Sequence, residues 1–172
     1  MRFLSTPGSY PEHPSRVEVI ETHYSWVFLT DVYAYKLKKP VQGEGFDFRT
    51  VEARRRNALA EWRLNRRLAG DVYRGVVPLN LSATGRLSLG GCGAPVDWLV
   101  KMLRLPAERM FDRRLAGRKL RHGDIEPLAR HLATFFATAR RIPISTPKVL
   151  EQIKGELGSS LEPFPISDSL RC

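Results

Sequence analysis

One stretch constrains the fold of this chain more than any other: three short β-rich runs and then one long basic helix, between Val17 and Leu68. Val17 to Thr22 alternates, Ser25 to Thr30 follows after a short turn, and Thr30-Asp31 turns the chain into Val32 to Leu37. Runs this close together form an antiparallel meander, because parallel pairing needs a crossover of a dozen residues or more. Pro40 ends the third run, having no N–H to donate to a ladder. On that strand Val32, Ala34 and Lys36 share one face and Tyr33, Tyr35 and Leu37 the other. A lysine that follows a small residue on the inner face of a sheet can reach a bound phosphate. The alanine beside it leaves room for something flat.

Gln42 to Phe48 is a glycine-punctuated loop, and Thr50 is a good N-cap for a helix running to about Leu68, with Glu52 in its positive first turn. Ala69-Gly70-Asp71 closes it. Glu61 lies on the edge of an apolar stripe whose wheel neighbours, within about 60°, are Arg54, Asn57, Ala58, Leu64, Asn65 and Leu68. Its i±3 and i±4 neighbours are Asn57, Ala58, Leu64 and Asn65. In so basic a helix, a carboxylate without a local cation implies a partner elsewhere in the fold.

Gly75 to Leu81 reads as a fourth strand. A hairpin-like Ala83-Thr-Gly-Arg86 turn and a short Leu87-Ser-Leu89 run come next, then the loop Gly90 to Pro95. Trp98 to Leu103 is a fifth strand that stops before Pro106, and Trp26 and Trp98 are expected in the core. Helices follow at Ala107 to Leu115 and after Asp124, where Ile125, Leu128, Ala129, Leu132, Phe135, Phe136 and Ala139 form an amphipathic stripe. Pro143 and Pro147 break it, and the tail from Lys148 has room for one helical turn or two and otherwise frays. The predicted division is an arm over 1–16, a sheet-and-helix lobe over 17–105, a partial helical lobe over 106–142 and an irregular tail over 143–172.

The hydrophobic share of 42% and the charged share of 27% suit a globular chain, and no apolar run approaches the roughly 20 residues of a membrane span. Without an apolar core for a signal peptide near Met1, a cytoplasmic location is expected. Cys92 and Cys172 are expected as free thiols, and no Cys/His spacing suggests zinc. The net charge of +10 rests largely on arginines at 54–56, 63, 66, 67, 113, 114, 118 and 121. It fits either a phosphate-rich partner or a solvated basic surface.

Five strands with a helix after the third, then a switch to helices at a short linker, is the order of a protein-kinase-like small lobe. Ala34-Tyr-Lys36 sits where that fold keeps its Ala-x-Lys, Glu61 lies in the following helix, and Met102-Leu-Arg-Leu-Pro106 occupies the interlobe linker. The blocks Val17 to Thr30, Ala34 to Val41, Phe46-Asp-Phe48, Arg63 to Ala69 and Asp71 to Pro78 narrow this further. Over residues 10 to 140 the chain resembles the aminoglycoside-phosphotransferase-like domain found at the front of bacterial proteins that also carry a P-loop ATPase domain. That resemblance implies an α+β kinase-like fold, ATP as the nucleotide, with magnesium expected only where the missing lobe is supplied, and phosphoryl transfer to a small hydroxyl compound. It also implies nucleotide contacts through Ala34, Lys36, Glu61, Met102, Leu103 and Arg104, with His23 and Ser25 in the turn that covers the phosphates.

The departures are equally specific. The family's catalytic His-Gly-Asp-x-x-x-x-Asn is matched by Arg121-His-Gly-Asp124 only in part, since Ala129 stands at the asparagine position. Asp124 falls just before the amphipathic helix and reads as its N-cap, with Pro127 tolerated in the first turn. Thr134-Phe-Phe-Ala137 replaces the family's Ala-x-Phe-His, and no Walker A loop is present. The expectation is therefore a domain cut short before its catalytic loop, with no catalytic or metal-binding residue of its own and no transfer activity alone. The alternative is a non-catalytic kinase-like module that holds nucleic acid or an acidic protein on an Arg54–Arg67 face.

Overall fold

A computed structural model of the chain describes residues 1–43, 45–140, 145, 147, 150, 151, 153 and 154. The class is α+β, with a curled antiparallel sheet and a few helices. The meander consists of β1 (Glu18–Glu21), β2 (Ser25–Leu29) and β3 (Tyr33–Lys38). A threonine closes each of its turns: Thr22 Oγ1 accepts from the Ser25 N–H, and Thr30 Oγ1 from the Tyr33 N–H, both at 3.0 Å. Such hydroxyl-to-backbone bonds substitute for a tighter turn residue. The expected loop over 42–48 holds a small hairpin, β4 (Gln42–Gly43) paired with β5 (Phe46–Asp47), turning at Gly45 with φ +77°.

Helix α1 (Val51–Ala69) starts where expected, with Thr50 Oγ1 accepting from the Ala53 N–H at 3.1 Å. Beyond it come β6 (Tyr73–Leu81), β7 (Leu87–Leu89) and β8 (Ala94–Leu103). The main sheet therefore has six strands, not five, in the order β1-β2-β3-β8-β6-β7. The additional strand is the Leu87-Ser-Leu89 run. A turn closed by Arg86 N–H to Ser82 Oγ at 3.0 Å delivers it in register to Leu79, Asn80 and Leu81. The last strand also starts earlier than expected, because Ala94 and Pro95 still pair with Leu81 and Asn80. Gly93 is required there: a Cβ would sit 2.7 Å from the Leu81 carbonyl oxygen.

The two sheet faces do different things. Phe28, Tyr35, Leu37 and Leu99 are buried on the face that also receives Leu4 and Tyr10 from the proline-rich leading residues. Those residues are part of the core rather than a loose approach to it. Tyr10 lies 5.0 Å from Tyr35 and donates its hydroxyl to the Leu4 carbonyl. Tyr35 donates to Glu12 Oε1 at 2.7 Å. Helix α1 packs against β6 and β8.

After β8 the expected helix over 107–115 divides into a 3-10 turn, Ala107–Arg109, and α2 (Phe111–Ala116). Helix α3 (His122–Thr138) begins before Asp124 instead of after it. Asp124 is thus a first-turn residue, not the N-cap. Its carboxylate accepts from the Arg121 N–H at 2.8 Å and from Arg114 Nη2 at 2.7 Å, and these two donors hold its pKa below the usual carboxylate range.

Two compact units are distinguished, 1–132 and the residues from 133 onward. In the second, the Phe135 and Phe136 rings meet edge to face at 5.4 Å. The expected helix break at Pro143 and most of the fraying tail, with Cys172, lie outside the described residues, while Cys92 is an exposed free thiol. No helix among the described residues is long and apolar enough to cross a membrane.

Candidate functional site

The face of the meander opposite the Tyr10 cluster forms one wall of a cleft of about 640 Å³. Ile20, Val27, Leu29 and Ala34 supply its apolar surface, and Met102 and Leu103 close it at the end of β8. Period-two alternation explains this lining: Val27 and Leu29 face away from Phe28, and Ala34 faces away from Tyr35. Asn65 and Tyr73 border the cleft from the end of α1 and the start of β6.

Lys36 stands two residues beyond Ala34 on the same strand face. Its Nζ donates to Glu61 Oε1 at 2.9 Å, across from β3 to α1. Lys38, one further step along that face, places its Nζ 3.6 Å from Glu61 Oε2. The acid that lacked a cation on its own helix thus has two from the sheet. Burial, and next the neighbouring Lys36, hold the Lys38 pKa below its ordinary value, while Glu61 acts in the opposite sense. Burial pushes the Tyr73 hydroxyl up, and Glu61 adds to the effect. Lys39 points elsewhere, pairing with Glu21 and lying 5.1 Å over the Trp26 ring.

The fold brings Ala34, Lys36, Glu61, Met102 and Leu103 to one region. The other expected contacts are placed differently. Ser25 is buried at the start of β2, and its N–H is bound to Thr22. His23 is exposed in the turn, its ring 6.2 Å from that of Tyr24. Arg104 is committed to structure: its N–H goes to the Val32 carbonyl at 2.8 Å, Nη1 to the Thr30 carbonyl at 2.9 Å, and Nη2 to Glu18 at 3.1 Å. Since consecutive strand residues turn their peptide groups to opposite edges, Leu103 directs its amide and carbonyl away from β3.

Sequence reasoning missed an aromatic brace beside Glu61. Tyr24 meets Phe46 edge to face at 5.1 Å, Phe46 stacks on Phe48 at 4.8 Å, and Lys38 Nζ lies 5.4 Å over Phe48. It joins the β1–β2 turn to the β4–β5 hairpin. The signal available was three aromatics flanking two turns, with no periodicity to group them. Sequence reasoning also misjudged Arg54, which is buried and donates to Asp97 at 2.8 Å and to the carbonyls of Phe48 and Arg49 at 2.8 and 3.0 Å. Arg55 lies over Trp98 and Arg66 over Trp62; of the two tryptophans expected in the core, Trp26 is half-buried and packs against it, while Trp98 is half-buried under the Arg55 cation. The basic face expected over Arg54–Arg67 therefore loses its first member. Among the described residues no three His, Cys, Asp or Glu side chains gather as metal ligands would.

The chain is similar to uncharacterized proteins of Mycobacterium bovis and of two strains of Mycobacterium tuberculosis. Each is 34% identical over 138 residues, covering 78% of this chain and 26% of the relative. The chain spans about a quarter of the length of the curated relatives it matches. No family model and no solved structure matches it.

Proposed function

We propose that the cleft binds an adenine nucleotide, ATP, as the small lobe of an aminoglycoside-phosphotransferase-like kinase fold. In a longer chain, this lobe would serve phosphoryl transfer to a small hydroxyl compound. The observation that carries the reading is the Lys36–Glu61 contact of 2.9 Å, two residues along the strand face from Ala34, which lines an apolar cleft together with Met102. A phosphate-binding ammonium has to be held against its own torsional freedom, and a helix carboxylate does this with a charge-assisted hydrogen bond. The donor set suits the ligand: apolar side chains for the faces of a purine, the Leu103 backbone for its edge, and a lysine for the phosphates. Glu61 is engaged with lysines and Glu18 with Arg104, and no magnesium-dependent step is assigned to these two residues.

Calorimetric titration of the purified chain with ATP tests the reading. Binding is expected, and Lys36→Ala is expected to weaken it at least about tenfold, equivalent to about 1.4 kcal/mol. A folded wild-type chain that takes up neither ATP nor adenosine would reject it.

A further inference from the structure

Glu61 is shared by two ammonium groups, and the sharing is unequal. Lys36 makes a hydrogen-bonded ion pair at 2.9 Å, whereas Lys38 stands at 3.6 Å, beyond hydrogen-bond length. The Lys38, Lys36 and Glu61 side chains are 17%, 28% and 12% exposed, so one positive charge in excess is held where water screens it poorly. What steadies Lys38 besides Glu61 is the Phe48 ring at 5.4 Å, a weaker counterpart than a second carboxylate. Ala34, Lys36 and Lys38 step along one strand face at about 6–7 Å per alternate residue, leading away from the apolar end of the cleft.

We propose that Lys38 is a second anion-binding residue of this site, handed from Glu61 to the ligand, so that affinity grows with the length of a polyphosphate chain. The proposal rests on the nucleotide reading for the orientation of the ligand. The excess charge itself depends only on the three side chains. Lys36 stays on Glu61, being the better bonded of the two. Lys38 gives up a long contact and gains a direct one to a phosphate oxygen, which also offsets the unbalanced charge. Lys38 is therefore a specificity-determining residue, discriminating tri- from monophosphates, while Lys36 serves any phosphate.

The experiment is calorimetry with ATP, AMP, adenosine and inorganic tripolyphosphate on the wild-type chain, Lys38→Met and Lys38→Arg, with a thermal melt of each variant. Lys38→Met is expected to weaken ATP and tripolyphosphate about tenfold, the scale of one charge-assisted hydrogen bond, and to leave adenosine within about twofold. Lys38→Arg is expected to retain most of the ATP affinity. ATP binding unchanged in Lys38→Met overturns the inference and leaves the nucleotide reading intact. Tripolyphosphate binding that depends on Lys38, without any adenosine binding, supports the anion site and removes the nucleotide reading. Should Lys38→Met fail to fold, the wild type decides. An ATP-over-AMP preference that shrinks with salt supports the proposal, and equal affinities overturn it. Absence of binding by all four ligands overturns both.

Discussion

Replacing Arg54 with alanine is expected to destabilise the chain by about 3–5 kcal/mol, the cost of breaking a buried ion pair from one side. Asp97, whose side chain is 17% exposed, would keep only the Trp98 N–H as a donor. The carbonyls of Phe48 and Arg49 would lose the guanidinium that gathers them at the entrance to α1. Urea denaturation measures the effect as a lower midpoint. Arg54→Leu combined with Asp97→Leu is expected to recover much of the loss, because no uncompensated charge remains. A loss below about 1 kcal/mol in the single variant would mean that the pair behaves like an exposed surface bridge.

Tyr10→Ala is the second large effect, expected at about 3–5 kcal/mol for loss of a fully buried aromatic ring. Tyr10 is 1% exposed and packs at 5.0 Å on Tyr35, so truncation opens a cavity between the leading residues and the sheet. Tyr10→Phe isolates the hydroxyl and is expected to cost about 1–3 kcal/mol by leaving the buried Leu4 carbonyl without its donor. A urea titration of the three forms gives this ranking directly. The same tyrosines predict an alkaline limit. Burial first, then Glu12, raises both hydroxyls above their ordinary value of 10.0, Tyr35 also through its hydrogen bond to Glu12. The folded state favours the neutral phenols, so their contribution is complete below pH 10 and falls as pH rises beyond it. Melting temperature followed from pH 8 to 11 should decline at the alkaline end, and less so in the variant with both tyrosines changed to phenylalanine.

Much of the candidate site was legible because it depends on short-range rules. Alternation alone put Ala34 and Lys36 on one face and Tyr35 and Leu37 on the other. The Thr50 cap fixed the phase of α1, and the lack of a local cation for Glu61 pointed to a distant one. Other features follow from tertiary structure that local patterns do not encode. Leu87–Leu89 is too short to show a period, and only its hairpin register makes it a strand. Leu4 and Tyr10 sit among prolines and glycine, a composition that reads as loop although both are core. The helical wheel sets Arg54 apart from Arg55 and Arg56, but that it reaches Asp97, 43 residues on, follows only from the fold. Lys38 and Lys39 are neighbours of like charge whose opposite orientations become apparent once Phe48 and Trp26 are placed.

The strand order carries a kinetic consequence. The first three strands form one antiparallel group and the last three another, in which β6 pairs with both β7 and β8, and the two groups join where β3 meets β8 in pairs such as Lys36 with Val100. Closing so long a loop costs entropy before the seam returns any contact energy. The two halves are expected to collapse locally and then wait for one another, with α1 lying between them in sequence. Leu99, fully buried within that seam, is placed to influence how fast the chain folds. Leu87, on the edge strand β7, is placed to influence how fast it comes apart.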